Sequence, residues 1–183
     1  LTSDATKLLT IETLFRRSLV LPFRFRTALD AIESVEVSRF QRQQVVRALN
    51  KAVALSLANV PRFKGRTLIA MDCSGSMIGK PMKVGSLFAS VLYKVNDADL
   101  MLFSGDARYV TFNADDGTLS LAQRIEEKAE WSGTNFHSVF RRANRAYDRI
   151  VILSDMQAWI GNWTPKAAFD RYVQKVGQRP RIY

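Results

Sequence analysis

The first third of the chain places apolar residues at the spacing of amphipathic helices. The stripe runs through residues 8–15 and resumes over residues 25–32. Ser38 is placed to cap a longer helix, which should end before Pro61 because proline disfavours helix at the preceding residue. We therefore expect residues 1–62 to form paired amphipathic α-helices of the kind that stack in an α-solenoid.

The pattern changes near residue 65. Residues 67–71 and 150–153 are continuous apolar runs, typical of parallel strands covered on both faces. Helical stripes and further short strands alternate with them, which predicts an α/β, doubly wound, mostly parallel sheet over residues 66–183. In chain order we expect strand 67–71, a helix opened by Pro81, strands 99–103 and 109–112, helices 121–129 and 136–147, strand 149–154, helix 165–176 and strand 181–183.

The helix opened by Pro81 carries an apolar stripe that predicts its buried face. Proline suits the first turn of a helix, since its missing N–H has no partner there. The residues at helical spacing behind it should all face inward. They are Val84, Leu87, Phe88, Val91 and Leu92.

Composition restricts the class of protein. The chain is 47% hydrophobic and 24% charged, which supports a globular core. No apolar run approaches the roughly 20 residues that span a bilayer, and no secretory signal opens the chain, so we expect no membrane partner. The single cysteine, Cys73, excludes an internal disulfide framework. We expect a cytoplasmic protein in which Cys73 is a small buried spacer.

Positive charge is concentrated in the first third of the chain. The net charge is +10; residues 1–66 contribute 12 Lys and Arg against 5 Asp and Glu, and residues 67–183 contribute 15 against 12. A basic arm of this kind favours a polyanionic partner, usually nucleic acid. A solvated surface accounts for the charge equally well when the charge is taken alone.

Oxygen-bearing side chains follow two of the predicted strands. Asp72 follows residues 67–71, and Asp155 follows the strand over residues 149–154. The carboxyl ends of parallel strands share one edge of the sheet. Ser74 and Ser76 lie in the loop after Asp72, and Thr134 offers a third hydroxyl from another loop. Two carboxylates and three hydroxyls suit a hard divalent cation, in the first instance Mg²⁺, and leave a position for water or a partner's acidic group.

Single residues of this set also fit simpler roles. Asp155 and Thr134 could each cap a following helix. A phosphatase of the haloacid dehalogenase type needs a second acid where Ser74 stands. A serine hydrolase needs a Gly-x-Ser-x-Gly elbow, which this loop lacks, and His137 fits packing better than catalysis. We therefore expect a binding protein and not an enzyme.

The five residues together resemble the metal-ion-dependent adhesion site of von Willebrand factor A domains. The matching positions are Asp72, Ser74, Ser76, Thr134 and Asp155. The resemblance covers residues 66–183 and implies capture of an acidic partner residue by the bound cation. Such a domain normally continues with another strand and helix, so we expect it to be incomplete at its C-terminus.

Six short stretches carry a narrower resemblance: residues 21–26, 47–49, 58–61, 65–72, 132–135 and 180–183. They are similar to the Ro autoantigen (TROVE) family. In that family a ring of HEAT-like helical repeats closes onto a von Willebrand A domain. The resemblance implies that residues 1–62 are the end of the ring, most of which would lie upstream.

The Ro resemblance implies an RNA partner. The family binds small non-coding Y RNAs on the outer helical surface and the ends of misfolded RNAs in the central hole. It implies a non-catalytic ribonucleoprotein component in RNA quality control, with phosphate contacts that are tolerant of sequence and sensitive to salt. The alternative is a metal-dependent protein–protein interaction module without RNA binding. The expected phosphate contacts are Arg16, Arg17, Arg24, Arg26, Arg39, Arg42 and Arg47.

Overall fold

In the part of the chain that the structure describes, two helices precede the sheet. The computed structural model describes residues 22–33, 35–113, 115–156 and 165–183, so the predicted stripe over residues 8–15 lies outside it. Helix α1 spans Pro22–Glu33, and α2 spans Arg39–Ser56. Ser38 caps α2 as predicted: its Oγ accepts from the Gln41 backbone N–H at 3.2 Å, and its own N–H donates to Gln41 Oε1 at 3.1 Å.

Strands and helices alternate along the rest of the chain. The elements are β1 (Thr67–Asp72), α3 (Lys80–Asn96), β2 (Asp99–Phe103), β3 (Ala107–Val110), α4 (Thr118–Glu127), α5 (Phe136–Arg142), β4 (Arg149–Leu153), α6 (Pro165–Val176) and β5 (Arg181–Ile182). They form one sheet in the order β3-β2-β1-β4-β5. All neighbours are parallel except β2 and β3. The predicted α/β class is confirmed. None of the described helices combines the length and apolar character that crossing a bilayer requires.

The central strand β1 is buried on both faces. All six of its residues are buried, as its continuous apolar run predicts. Leu68 packs on one face among residues of α5 and α6, including Phe136 and Tyr172. Ile69 packs on the other face among residues of α3 and α4, including Leu121. The helices therefore cover both faces of the sheet. They do not cover the two edges at which the strands begin and end.

Helices α1 and α2 form a further layer outside α3 and α4. Their buried residues Leu29 and Val53 share one apolar cluster with Leu87 of α3 and with residues of α4. Helix α3 is therefore covered by the sheet on one side and by α1 and α2 on the other. The predicted stripe of α3 is wrong in part, because Val84 is 38% and Phe88 is 45% exposed.

The helix predicted over residues 136–147 is shorter than expected. It ends at Arg142, and Ala143 is extended, with φ −60° and ψ 121°. Tertiary hydrogen bonds hold the residues that follow. Tyr109 Oη accepts from the Asn144 N–H at 3.3 Å, and Tyr147 Oη donates to Asp99 at 2.6 Å. The third strand and α4 begin two or three residues earlier than predicted, at Ala107 and Thr118.

Gly65 occupies a backbone conformation that a side chain would disturb. Its φ is +85°, and an added Cβ would overlap the carboxylate of Asp148, which accepts the Arg66 N–H at 2.6 Å. We expect Gly65→Ala to lower the free energy of unfolding by about 1–3 kcal/mol. Urea denaturation measures the loss. Gly79→Ala is the control, because its φ is +89° and its Cβ would meet nothing within 4 Å. Equal losses in the two variants would exclude a role for the Asp148 contact.

Candidate metal centre

Asp72 is held rigidly at the carboxyl end of β1. Its side chain is fully buried, at 0% exposure. Oδ1 accepts the Ser74 N–H at 2.9 Å, and Oδ2 accepts the Ser154 hydroxyl at 2.6 Å. Each carboxylate oxygen keeps further lone-pair capacity after one hydrogen bond. The carboxylate is therefore fixed in direction and can still bind a cation.

A chain of hydrogen bonds connects the loop after Asp72 to the loop after β4. Ser74 Oγ lies 3.2 Å from Ser76 Oγ, and Ser76 Oγ donates to Asp155 Oδ1 at 3.1 Å. Octahedral Mg²⁺ with bonds of 2.0–2.1 Å has adjacent ligands about 2.9 Å apart. The observed separations are close to this value, so the donor set fits adjacent positions around one such ion.

Thr134 lies on a neighbouring loop. The Trp131 N–H donates to the Cys73 carbonyl at 3.0 Å, and the Gly75 N–H donates to the Ser132 carbonyl at 2.9 Å, which fastens the two loops together. Thr134 is 1% exposed. Within the described residues, no hydrogen bond joins its side chain to the other four predicted ligands. The structure therefore connects Asp72, Ser74, Ser76 and Asp155, and places Thr134 on the adjoining loop.

A fourth loop, absent from the sequence-based prediction, supports this arrangement. Ser104 and Gly105 follow β2 at the same edge of the sheet. Ser132 Oγ donates to Ser104 Oγ at 3.0 Å and accepts the Gly105 N–H at 2.8 Å. The Asn135 N–H donates to the Ser104 carbonyl at 2.8 Å. Ser104 and Gly105 are therefore positioning residues, and a polar pair directly after a predicted strand was the signal that could have found them.

Cys73 and His137 do not supply a reactive thiol or a catalytic base beside the predicted ligands. Cys73 is 2% exposed; burial, helped by the Asp72 charge, raises the pKa of its thiol to about 12, as suits a spacer. His137 Nδ1 is buried and has no hydrogen-bond partner among the described residues, so no described serine is paired with it. Across the described parts of the chain, no group of three or more His, Cys, Asp and Glu side chains could hold a metal. A cation here would depend on the serine hydroxyls.

The arginines of α1 and α2 fall into two groups. Arg24, Arg39 and Arg47 are exposed and Arg42 is half-buried; none of these side chains forms a hydrogen bond or ion pair with another described residue. Arg26 is different. It is 7% exposed and donates to Glu126 at 2.7 and 3.1 Å and to Asp30 at 3.1 Å. The prediction that Arg26 contacts phosphate is therefore wrong, because internal carboxylates already bind it. Arg16 and Arg17 lie outside the described residues.

Comparison with known proteins identifies the family. No family model matches the chain. The RNA-binding protein RO60 of Deinococcus radiodurans is 30% identical over 152 residues, covering 76% of this chain and 28% of the relative. This chain belongs to the Ro (TROVE) family. The crystal structure of the Deinococcus radiodurans Ro (RSR) protein matches with a TM-score of 0.70 and 23% identity, over 98% of this chain and 40% of that one. This likeness to a Ro protein supports the fold. The chain spans less than a third of the curated Ro relative.

Proposed function

We propose that this chain is a non-catalytic, RNA-binding component of a ribonucleoprotein, and that it carries a second, metal-dependent site for a protein partner. The RNA would be a small non-coding RNA of the Y RNA kind or a misfolded non-coding RNA. The observation that carries the RNA proposal is membership of a family in which a 30% identical relative is named as RNA-binding. The exposed arginines of α1 and α2 supply the surface.

The geometry of α1 and α2 suits contact with a phosphate backbone. Their apolar residues, such as Leu49 and Val53, are turned onto α3 and α4. Arg39 and Arg47 are exposed on α2, and Arg24 is exposed on α1. Because other described residues do not neutralise these guanidinium groups, a phosphate would gain their charge without breaking an internal ion pair.

The metal proposal assigns residues 66–183 to a von Willebrand A-type domain. Asp72, Ser74, Ser76 and Asp155, with Thr134 from the adjoining loop, would hold Mg²⁺. When bound, the cation would supply an electrophilic position for an acidic side chain of a partner. The chain's own residues would orient the ligands: Ser154 directs Asp72, and Ser76 joins the two loops.

A metal-dependent protein-interaction module without an RNA role is the second candidate. It is favoured by the hydrogen-bonded series from Ser74 through Ser76 to Asp155, which does not depend on α1 or α2. The two candidates use different surfaces, so variants that affect one surface should leave the other intact.

Removing arginines from α2 tests the RNA proposal. We expect the slope of log affinity against log salt to become about 2–3 units shallower, because up to three phosphate contacts are lost. Fluorescence anisotropy of a labelled stem–loop RNA, with and without EDTA, measures the effect. The variant, called the arm triple, carries Arg39→Gln, Arg42→Gln and Arg47→Gln.

The matched control removes the same charge elsewhere. Its three exposed lysines lie outside α2, in the first turn of α3, directly after α4 and in the first turn of α6. The slope should stay at the wild-type value in this control. Wild-type affinity and slope in the arm triple would refute RNA binding through α2. The control, called the control triple, carries Lys80→Gln, Lys128→Gln and Lys166→Gln.

A further inference from the structure

A group of cations lies at the edge of the sheet opposite the metal centre. The strands β1, β4 and β5 begin there, and their register places Thr67, Arg149 and Arg181 side by side. Neighbouring strands are about 4.8 Å apart, so these positions form one compact row. The segment that leads from α2 into β1 adds further cations. We call the following set the basic edge: Arg62, Lys64, Arg66, Arg145, Arg149 and Arg181.

Two of these arginines are fixed in place by the fold. Arg149 donates to Thr67 Oγ1 at 2.9 Å and to the Lys64 carbonyl at 2.7 Å, and its guanidinium lies 4.8 Å from the centre of the Phe63 ring. Arg145 donates to both carboxylate oxygens of Asp99, at 2.9 and 3.0 Å. These contacts order the surface before any ligand arrives.

The basic side chains of the other four cations differ from those of Arg145 and Arg149. Their side chains form no hydrogen bond or ion pair with any other residue that the structure describes, and all four are exposed. A fold gains nothing from holding like charges together in this way, because exposed like charges repel one another. The four are Arg62, Lys64, Arg66 and Arg181.

Carboxylates at the same edge do not cancel this charge. Asp99 already binds Arg145 and Tyr147. Asp148 accepts the Arg66 N–H at 2.6 Å and the Gln178 amide at 3.1 Å. With Asp97, which lines the nearby groove, three carboxylates face six cations. The edge therefore keeps a positive excess.

Aromatic surface lies among the free cations. Phe63 remains 38% exposed although Arg149 covers part of its ring. Beside it, Arg66 and Arg145 line a groove of about 360 Å³ together with Tyr93 and Tyr109. Cations that follow a backbone, with exposed rings on which bases can stack, are the usual features of a surface that binds single-stranded nucleic acid.

We propose that the basic edge is a second RNA-contact surface, which binds single-stranded RNA through phosphates on its four free cations and a base stacked on Phe63. This inference rests on the proposed RNA-binding function, but it uses the sheet edge and not the arginines of α1 and α2. The edge lies at the opposite ends of the strands from Asp72, so RNA here would leave the metal centre open to a partner.

Removing free cations from the edge tests the inference in the full chain. The substitutions remove no side-chain hydrogen bond or ion pair between described residues, so we expect native circular dichroism and an unchanged melting temperature. With fluorescein-labelled single-stranded oligouridine, the slope of log affinity against log salt should become about 2 units shallower. The control triple should retain the wild-type slope. The variant, called the edge triple, carries Lys64→Gln, Arg66→Gln and Arg181→Gln.

A second variant separates stacking from charge. Phe63→Leu keeps an apolar side chain but removes the ring, so affinity for oligouridine should fall about fivefold or more, with an unchanged salt slope. Wild-type affinity and slope in the edge triple would overturn the inference. The inference would also be overturned if a labelled polyglutamate peptide bound the wild type but not the edge triple, while RNA binding persisted in the edge triple. The basic edge would then bind an acidic protein.

The two RNA surfaces can be judged independently. Loss of RNA binding in the arm triple, with wild-type behaviour in the edge triple, would leave the proposed function standing and overturn this inference. Loss in the edge triple alone would support the inference and refute binding through α2. A further variant combines the arm triple with the edge triple. If its loss of RNA binding free energy equals the sum of the two separate losses, both surfaces are supported.

Discussion

Asp72→Asn is expected to weaken Mg²⁺ binding on the order of 100-fold or more, because even partners that only orient a metal ligand contribute 10–100-fold. The substitution keeps the shape of the side chain but removes its charge. It also replaces one of the two oxygens that now accept from Ser74 and Ser154. Isothermal titration with MgCl₂ measures the affinity. Salt-dependent RNA binding should survive, since both proposed RNA surfaces lie elsewhere.

Because Asp72 is fully buried, a milder variant guards against misfolding. Ser76 is exposed, so Ser76→Ala should fold normally and still weaken Mg²⁺ binding, although less than Asp72→Asn. Asp115→Asn removes an equal charge from an exposed turn and should leave the affinity unchanged. Folded Asp72→Asn and Ser76→Ala proteins that bind Mg²⁺ as the wild type does would rule out a metal centre at this loop.

Arg26→Met should lower the free energy of unfolding by about 2–3 kcal/mol. Arg26 binds both oxygens of Glu126 and one of Asp30, with its own side chain 8% exposed. Loss of one partner from a buried ion pair typically costs 3–5 kcal/mol. The value expected here is smaller because the carboxylates are partly solvated, and because Ser86 and Lys83 still donate to them. Urea denaturation at neutral pH measures the change.

A second substitution identifies the cause of this loss. Arg26→Met combined with Glu126→Gln removes the uncompensated charge, so part of the stability should return. If the single variant lost less than about 1 kcal/mol of unfolding free energy, the Arg26–Glu126 ion pair would contribute no more than an ordinary surface ion pair. RNA affinity is expected to be the same in the folded single variant as in the wild type, because the guanidinium of Arg26 faces carboxylates and not solvent.

The strands and the position of the loop after Asp72 were predictable because local signals determine them. A continuous apolar run as short as residues 67–71 favours a strand buried on both faces, because helices are usually longer. A carboxylate that follows such a run must lie at the carboxyl edge of the sheet. The sequence therefore predicted that Asp72 and Asp155 share an edge, and Ser76 joins their loops in the structure.

Contacts between distant segments account for what the sequence did not predict. Periodicity shows that Arg26 belongs to a helix, but the residue that meets it, Glu126, lies 100 positions away. The predicted face of α3 was wrong at Val84 and Phe88. The two layers cover other residues of this helix, which include small ones such as Ser86 and Ala89, and leave Val84 and Phe88 on the exposed face. Helix α5 ends early because Tyr109 and Asp99 hold the chain that follows it.

The layer formed by α1 and α2 limits which fragments of this chain can be studied alone. A fragment that starts at β1 would contain every predicted metal ligand and look like a natural unit in the sequence. It would also leave Leu87, Val91 and Leu119 uncovered, and an apolar patch of that kind promotes self-association. Recombinant versions meant to report on the metal loop should therefore begin ahead of α1.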